Sequence, residues 1–187
     1  MTDEQLVVLT QQGNSHAFNS LTARWQDSVY RFAYRNLGNP EDARDVCQEA
    51  LLKAYQNIER LREGAKFRAW VHHIALNLCR DRYRSAAGRT ETLPYEEEGI
   101  ESFRLGAGGR EDGAASRADR AGLFHAIENA LHALPIEQRS AILLREYHGF
   151  TSEEIADITG VPSATVRSRI FYGLKGIRKR LRERGVE

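Results

Sequence analysis

Residues 91–117 interrupt the sequence with a stretch that is rich in glycine and acidic side chains. The stretch holds seven acidic and three basic residues and has no sustained apolar period, as is typical of a flexible linker. It divides the chain into an N-terminal block, residues 1–90, and a C-terminal block, residues 118–187. Because neither block is long enough for a large core, we expect two small, simply built domains.

Helical spacing dominates both blocks, and neither contains a long alternating pattern. Gly38 predicts one helix end, Asn39 followed by Pro40 predicts a capped helix start, and Gly64 predicts another break. We therefore predict an all-α protein of two small helical domains. The apolar positions in the N-terminal block are Phe18, Leu21, Trp25, Val29, Phe32, Leu37, Val46, Ala50, Leu51, Ala54, Ile58, Phe67, Trp70, Val71, Ile74, Ala75 and Leu78.

Composition suits a soluble globular protein, with 41% hydrophobic and 28% charged residues. No stretch approaches the roughly 20 apolar residues of a membrane span, and the N-terminus does not read as a secretory signal. Cys47 and Cys79 lie far apart in helical patterns, which favours reduced thiols in a cytosol. We expect a cytoplasmic protein without membrane insertion.

An enzyme is the weakest hypothesis, because the sequence lacks GxGxxG, a phosphate loop and HExxH. His72 and His73 are adjacent, so on a helix they point about 100° apart, and both are expected mainly off the apolar stripe of that helix. Cys79 does not complete a metal-binding pattern with them. We expect no catalytic residues, no cofactor and no metal site.

The segment TSEEIADITGVPSATVRSRIFYGLKGI, residues 151–177, has the parts of a helix-turn-helix. Thr151 and Glu154 match a capping box, Ala156 is small where two helices cross, and Gly160 suits a left-handed turn. Thr159 is unusual, because the residue just before the turn glycine of a helix-turn-helix is commonly apolar and packs between the two helices. Ser163 is expected to cap the next helix.

The last helix is strongly basic: residues 165–185 hold eight Lys or Arg and one Glu, although the whole chain is nearly neutral. We expect one face of this helix to pack on the domain through an apolar stripe at Ile170, Leu174, Ile177 and Leu181. An earlier helix of this block should also pack there, through Leu123, Ile127, Ala130, Leu131 and Leu134. The opposite face is about as wide as a DNA major groove accepts. A solvated basic hairpin is the alternative.

The N-terminal block carries two further surfaces. Asp45, Gln48 and Glu49 share one helix face, which suits either solvation or docking on a basic protein surface. Residues 66–89 hold six basic residues and one acid among aromatics, and this combination suits unpaired bases. The Trp70 ring by itself is better explained as core.

Taken together, the sequence resembles the extracytoplasmic-function (ECF) group of bacterial sigma factors over nearly its whole length. The resemblance rests on DARDVCQEALLKAY, KFRAWVHHIALNLCRDRYR and LHALPIEQRSAILLREYHGFTSEEIADITGVPSATVRSRIF, in that order around the acidic linker. It implies a transcription initiation factor that binds core RNA polymerase, through the beta prime clamp helices and the beta flap, and promoter DNA. An anti-sigma factor is a further candidate partner.

The resemblance also implies site residues. Asp45, Gln48 and Glu49 stand at the family's polymerase-docking positions. The −10 positions are Leu61, Arg62, Gly64, Lys66, His73 and Asn77, and the −35 positions are Arg167, Ser168, Phe171, Tyr172 and Lys175. Leu61 stands where relatives commonly have an aromatic, and Tyr172 replaces a frequent arginine. Asn77 could also be a plain solvated helix residue.

A repressor or activator that binds duplex DNA by itself would carry the same helix-turn-helix. That alternative gives no reason for the Asp45, Gln48 and Glu49 face or for the aromatic and basic helix at 67–84. A dimer on a palindromic site would favour it.

Overall fold

The computed structural model describes residues 1–87 and 114–185, and the regular structure in these ranges is all helical, as predicted. Most of the predicted linker lies outside them. The helices are α1 (Asp3–Gln11), α2 (Ser15–Leu37), α3 (Pro40–Gln56), α4 (Phe67–Ala87), α5 (Ala114–His132), α6 (Ile136–Ile142), α7 (Ser152–Thr159) and α8 (Ser163–Glu183). Short 3-10 turns span Ile58–Arg60 and Gly64–Lys66, and a π-helical turn, Leu143–Tyr147, extends α6. Among the described residues, no helix is long and apolar enough to cross a membrane.

The predicted helix boundaries around residue 38 are confirmed. Gly38 ends α2 with a φ of 75°, and the Asn39 side chain accepts hydrogen bonds from the amides of Glu41 and Asp42. Pro40 fills the first position of α3, where a missing N–H costs nothing. Helix α1 was not predicted, although Thr2 forms a capping box with Gln5 at its start.

The core of the N-terminal block lies between α2, α3 and α4. Phe32, Phe67 and Leu21 are fully buried there, together with Val46 and Val71. Both cysteines are buried free thiols, and burial raises the pKa of Cys47 to about 11 and that of Cys79 to about 12. They therefore stay protonated within the core, as the pattern of the sequence predicts.

The C-terminal block packs α8 against α6 through a glycine. A Cβ added at Gly173 would lie 2.6 Å from Ile142 Cδ1, so a larger residue here would require the Ile142 side chain to shift. The stripe predicted for α8 is partly wrong, because Leu174, next to Gly173, is 41% exposed. Leu123 is likewise 42% exposed, in the middle of α5. The Ser163 prediction is also wrong, because Pro162 occupies the N-cap position and provides no side-chain cap.

The two blocks contact each other, and this interblock interface buries one residue that was expected on a polar face. His72 is fully buried, because α4 packs on the N-terminal core with one side and on α7 and Phe150 with another. Burial lowers the pKa of His72 to about 4. The prediction that His72 lies off the apolar stripe is therefore wrong, since a helix covered on two sides needs a wider buried surface than one stripe provides.

Candidate protein and nucleic-acid interfaces

The predicted docking residues lie on the outer side of α3. The Asp45 carboxylate is 60% exposed and lies 3.6 Å from Arg82 Nη1, while Glu49 pairs with Lys53 at 2.9 Å. Gln48 is exposed between them. The opposite side of α3 carries Val46 and Ala50 into the core. The structure therefore brings all three predicted side chains together on one hydrated acidic face.

The loop between α3 and α4, where Gly64 was predicted to interrupt the helical pattern, is held against α1. The Gln11 amide nitrogen donates to the carbonyls of Ile58 and Leu61, both at 2.9 Å. A Cβ at Gly64 would lie 2.9 Å from the Glu4 Cα, so this glycine is needed for the close approach of α1. The Leu61 side chain is buried.

The other predicted −10 residues face solvent to different degrees. Arg62 and Lys66 are exposed, and Lys66 pairs with Glu63 at 3.0 Å. Asn77 is exposed on α4, where its Nδ2 lies 3.1 Å from His73 Nε2, and its Oδ1 accepts a hydrogen bond of 3.4 Å from Arg80. Each end of the Asn77 amide thus makes one contact within the chain and retains a second N–H or lone pair for another partner.

His73 is bonded across the interblock interface. Its Nδ1 lies 2.7 Å from the carbonyl oxygen of Ile158, near the end of α7. Since a carbonyl only accepts, Nδ1 carries the proton, and Nε2 accepts from Asn77. The last carbonyls of a helix have no backbone N–H within the helix to bond to, and His73 supplies a donor to one of them in α7. The predicted −10 group is partly covered by the C-terminal block.

A cavity of about 310 Å³ lies beside these residues, within the N-terminal block. Its lining includes the predicted His73 and Asn77, together with side chains that were not among the predicted −10 residues: Lys53, Asn57, Arg60, Trp70, Ile74, Leu78 and Asp81. The spacing of Lys53 and Asn57, four residues apart at the end of α3, is a signal that could have placed them on one side. A cavity with cationic, amide and aromatic groups suits a planar polar ligand such as a base.

The helix-turn-helix has the predicted geometry. Thr151 and Glu154 form a reciprocal capping box, and Gly160 ends α7 with a φ of 71°. The unusual Thr159 is buried, and its hydroxyl donates to the Ile155 carbonyl at 2.6 Å. That bond satisfies the polar atom, so threonine can occupy a position that is commonly apolar. Val166 anchors the start of α8 in the core.

The outer face of α8 presents the predicted −35 residues to solvent. Phe171 is 63% exposed and Tyr172 is 59% exposed, with their rings 5.3 Å apart. Arg167, Ser168 and Lys175 are exposed on the same helix. Exposed aromatics of this size are unusual on a solvated helix and mark an interaction surface when they adjoin cationic groups.

These features define a two-part helical protein with an exposed acidic face on α3 and a basic helix-turn-helix. Residues 21–89 match the model for sigma-70 region 2, and residues 124–175 match the model for sigma-70 region 4. The chain is 35% identical over 185 residues to the ECF RNA polymerase sigma-E factor of Haemophilus influenzae, covering 97% of this chain and 96% of that protein. It belongs to the ECF sigma factors, which are non-enzymatic transcription initiation factors.

Solved structures share the fold. CnrH in complex with the cytosolic domain of CnrY superposes with a TM-score of 0.70 and 24% identity, covering 97% of both chains. The sigma factor RpoE of Bartonella quintana, in complex with the anti-sigma factor NepR, gives a TM-score of 0.67 and 21% identity over 88% of this chain and 96% of that one. At these identities the likeness concerns the fold.

Proposed function

We propose that residues 1–90 dock on core RNA polymerase and read the −10 element, and that residues 118–187 read the −35 element and contact the beta flap. Asp45, Gln48 and Glu49 would bind the beta prime clamp helices. The supporting observation is that α3 and α8 each bury one side in a core and leave the proposed contact residues on the other side in solvent. Those side chains can meet a partner without disturbing the fold.

For the −10 element, the proposed reader is the loop at 61–66 together with His73 and Asn77. The neighbouring cavity offers Lys53 and Arg60 for phosphates and Trp70 for apolar contact with a base. Leu61 is buried, so it would support the loop rather than stack on a base. Specificity would then rest on hydrogen bonds from Asn77, whose amide offers both a donor and an acceptor.

For the −35 element, the proposed reader is the α8 face of Arg167, Ser168, Phe171, Tyr172 and Lys175. Tyr172 carries both an apolar ring and a hydroxyl, so it can contact a thymine methyl or a base edge where many relatives place an arginine. The neighbouring cations would supply phosphate contacts, which fix register without reading sequence.

The proposed setting is the cytoplasm, in a response to a stress or envelope signal. An anti-sigma factor is the proposed resting partner, because the Bartonella relative of the same fold is bound to one. The exposed α8 aromatics and the acidic α3 face are the surfaces that such a partner would cover.

Reconstitution with core polymerase tests the proposed function. The free chain should bind promoter duplex weakly and with a steep salt dependence, because a single helix-turn-helix makes few contacts. Addition of core polymerase should give specific binding, strand opening and defined start sites when transcription is mapped across the host genome. A footprint of the same quality from the free chain would favour a repressor instead.

Lys175→Ala should lower affinity for the promoter, with core polymerase present. Loss of a base-edge contact should cost about 1–3 kcal/mol and relax selection at one position of the upstream element. Loss of a phosphate contact should weaken all promoters alike. Binding to a library randomised in the −35 element distinguishes these results.

Lys179→Ala is the matched control, since Lys179 is an exposed lysine one turn farther along α8. It removes the same charge and should leave the ranking of the library unchanged. Identical rankings for both variants and the unmodified chain would contradict base reading by Lys175.

A further inference from the structure

Two carbonyls at the start of the loop between α3 and α4 share one donor group from α1. Gln11 Nε2 donates to the carbonyl oxygens of Ile58 and Leu61, each at 2.9 Å. A primary amide has two N–H groups, so each carbonyl receives one of them. The Ile58 carbonyl also accepts from the Leu61 amide at 3.1 Å, at the end of the 3-10 turn. The Gln11 side chain therefore fixes the point at which the chain leaves this turn.

A second contact with α1 follows three residues later in the loop. Gly64 is buried, and a Cβ added there would lie 2.9 Å from Glu4 Cα and 3.2 Å from Val7 Cβ. The nearer atom belongs to the backbone of α1, which cannot rotate away as the end of a side chain can. The segment from residue 58 to residue 64 is therefore held by α1 at both ends, while Arg62, which lies between them, is exposed.

Helix α1 is itself fixed to α2, so it can act as a template for the loop. Asp3 accepts hydrogen bonds from Arg24 and from Trp25 Nε1, the latter at 2.9 Å. Leu6 and Val7 are buried in the core. Because the bonds of Asp3 do not involve the loop, α1 should keep its place when the loop contacts are removed.

A fixed backbone matters for a loop that receives a base from an open duplex. Ordering a flexible segment on binding costs free energy, and a segment that is already ordered avoids that cost. Leu61 is buried and cannot stack on a base, so the loop contributes through the position of its backbone and of the exposed Arg62 and Lys66. Hydrogen bonds to a base edge tolerate a displacement of less than about 1 Å.

We propose that Gln11 is a positioning residue for the −10 element: it contacts no DNA itself, and it holds the loop at 61–66 in the conformation that receives the base. This inference rests on the proposed function, because it takes the loop as part of the −10 reader. Loss of the Gln11 donors lowers selection among −10 sequences and leaves both −35 selection and binding to core polymerase as they are.

Three substitutions at Gln11 separate hydrogen bonding from packing. Gln11→Met keeps the length of the side chain but has no donor, and Gln11→Glu places a carboxylate against two carbonyl oxygens. Gln11→Lys retains donors on a side chain long enough to reach both carbonyls. Selection among −10 sequences should therefore be highest for the unmodified chain, followed by the lysine, methionine and glutamate variants in that order. A residue needed only for packing would instead be replaced best by methionine.

The measurement is in vitro transcription by each variant with core polymerase, from one library randomised in the −10 element and another randomised in the −35 element. For Gln11→Met, the ratio between the best and the median −10 sequence should fall about tenfold, the size expected when two net hydrogen bonds are lost. The −35 ranking should not change, because α8 is the proposed reader of that element. Affinity for core polymerase without DNA should also stay constant, since the proposed docking residues lie on α3.

Hydrogen exchange gives a structural measurement that does not depend on promoter binding. The amides of residues 58–66 should exchange about tenfold faster in Gln11→Met and regain protection in Gln11→Lys. Gln12→Met is the matched control, because Gln12 is an exposed glutamine at the next position, just beyond the end of α1. It should match the unmodified chain in hydrogen exchange and in both libraries.

Asn77→Ala in the same libraries separates this inference from the proposed function. Weaker −10 selection by Asn77→Ala, Gln11→Met and Gln11→Glu, with recovery in Gln11→Lys, supports the positioning role. An unchanged −10 ranking for Gln11→Met and Gln11→Glu, a loss that extends equally to the −35 library, or no recovery in Gln11→Lys overturns it. If Asn77→Ala also leaves the −10 ranking unchanged, the proposed −10 reader fails as well.

Discussion

Replacing Asp45 and Glu49 with arginine should weaken binding to core RNA polymerase at least tenfold. Each carboxylate can form a charge-assisted hydrogen bond worth about 1.5–3 kcal/mol, and reversal also adds repulsion against a basic partner. In the free chain both side chains are solvent-accessible and form only exposed ion pairs. Because exposed ion pairs contribute little, the free energy of unfolding should change little. Titration of labelled core polymerase in the absence of DNA measures the effect.

The control is the pair Glu4→Arg and Glu59→Arg, which changes net charge by the same amount at two exposed acidic residues outside the α3 face. It should bind core like the unmodified chain. Equal affinity for the α3 double variant and the unmodified chain would refute docking through this face, whatever the promoter-binding results show.

Arg139→Ala should lower the free energy of unfolding by about 3–5 kcal/mol. The Arg139 guanidinium is nearly fully buried and donates to carbonyls at both ends of the turn between α5 and α6: Leu131 at 3.1 Å, His132 at 2.6 Å and Leu134 at 2.9 Å. Alanine leaves those acceptors buried without donors, at about 1–3 kcal/mol each, and opens a cavity. Thermal unfolding should begin about 10 °C lower.

Arg139→Lys separates charge from geometry. Lysine keeps the positive charge but lacks the planar fork, so we expect it to recover only part of the loss. Arg145→Ala is the matched control, because Arg145 is exposed and makes one long hydrogen bond, of 3.5 Å, to Phe150. Equal melting temperatures for Arg139→Ala and Arg145→Ala would show that the buried fork contributes little.

Features set by local sequence could be predicted. The capping box at Thr151, the left-handed Gly160 and the Asn39–Pro40 start depend on a few neighbouring residues whose backbone preferences are strong. The docking and α8 faces followed from helical periodicity, since an exposed face needs no knowledge of what packs elsewhere. The geometry of these surfaces was therefore predictable, while their roles stay proposals.

Features set by contacts between distant segments could not be predicted. In the sequence His72 resembles a polar residue on the outer face of an amphipathic helix. It is buried because Phe150 and His148 of the C-terminal block pack against it. Leu174 fits the apolar stripe, but α6 contacts α8 at the neighbouring Gly173, and Leu174 is 41% exposed. Periodicity gives the faces of a helix and does not specify how many neighbours cover it.

The attachment of α1 to the loop before α4 has a consequence for how promoter choice can change during divergence. Gln11 holds the carbonyls of Ile58 and Leu61, and Gly64 leaves no space between the loop and Glu4. A mutation that changes the shape of the loop would therefore disrupt its contacts with α1, which lies some fifty residues earlier in the chain. We expect the first eleven residues and the loop to be inherited as one epistatic unit, so that new −10 preferences arise through paired changes in both.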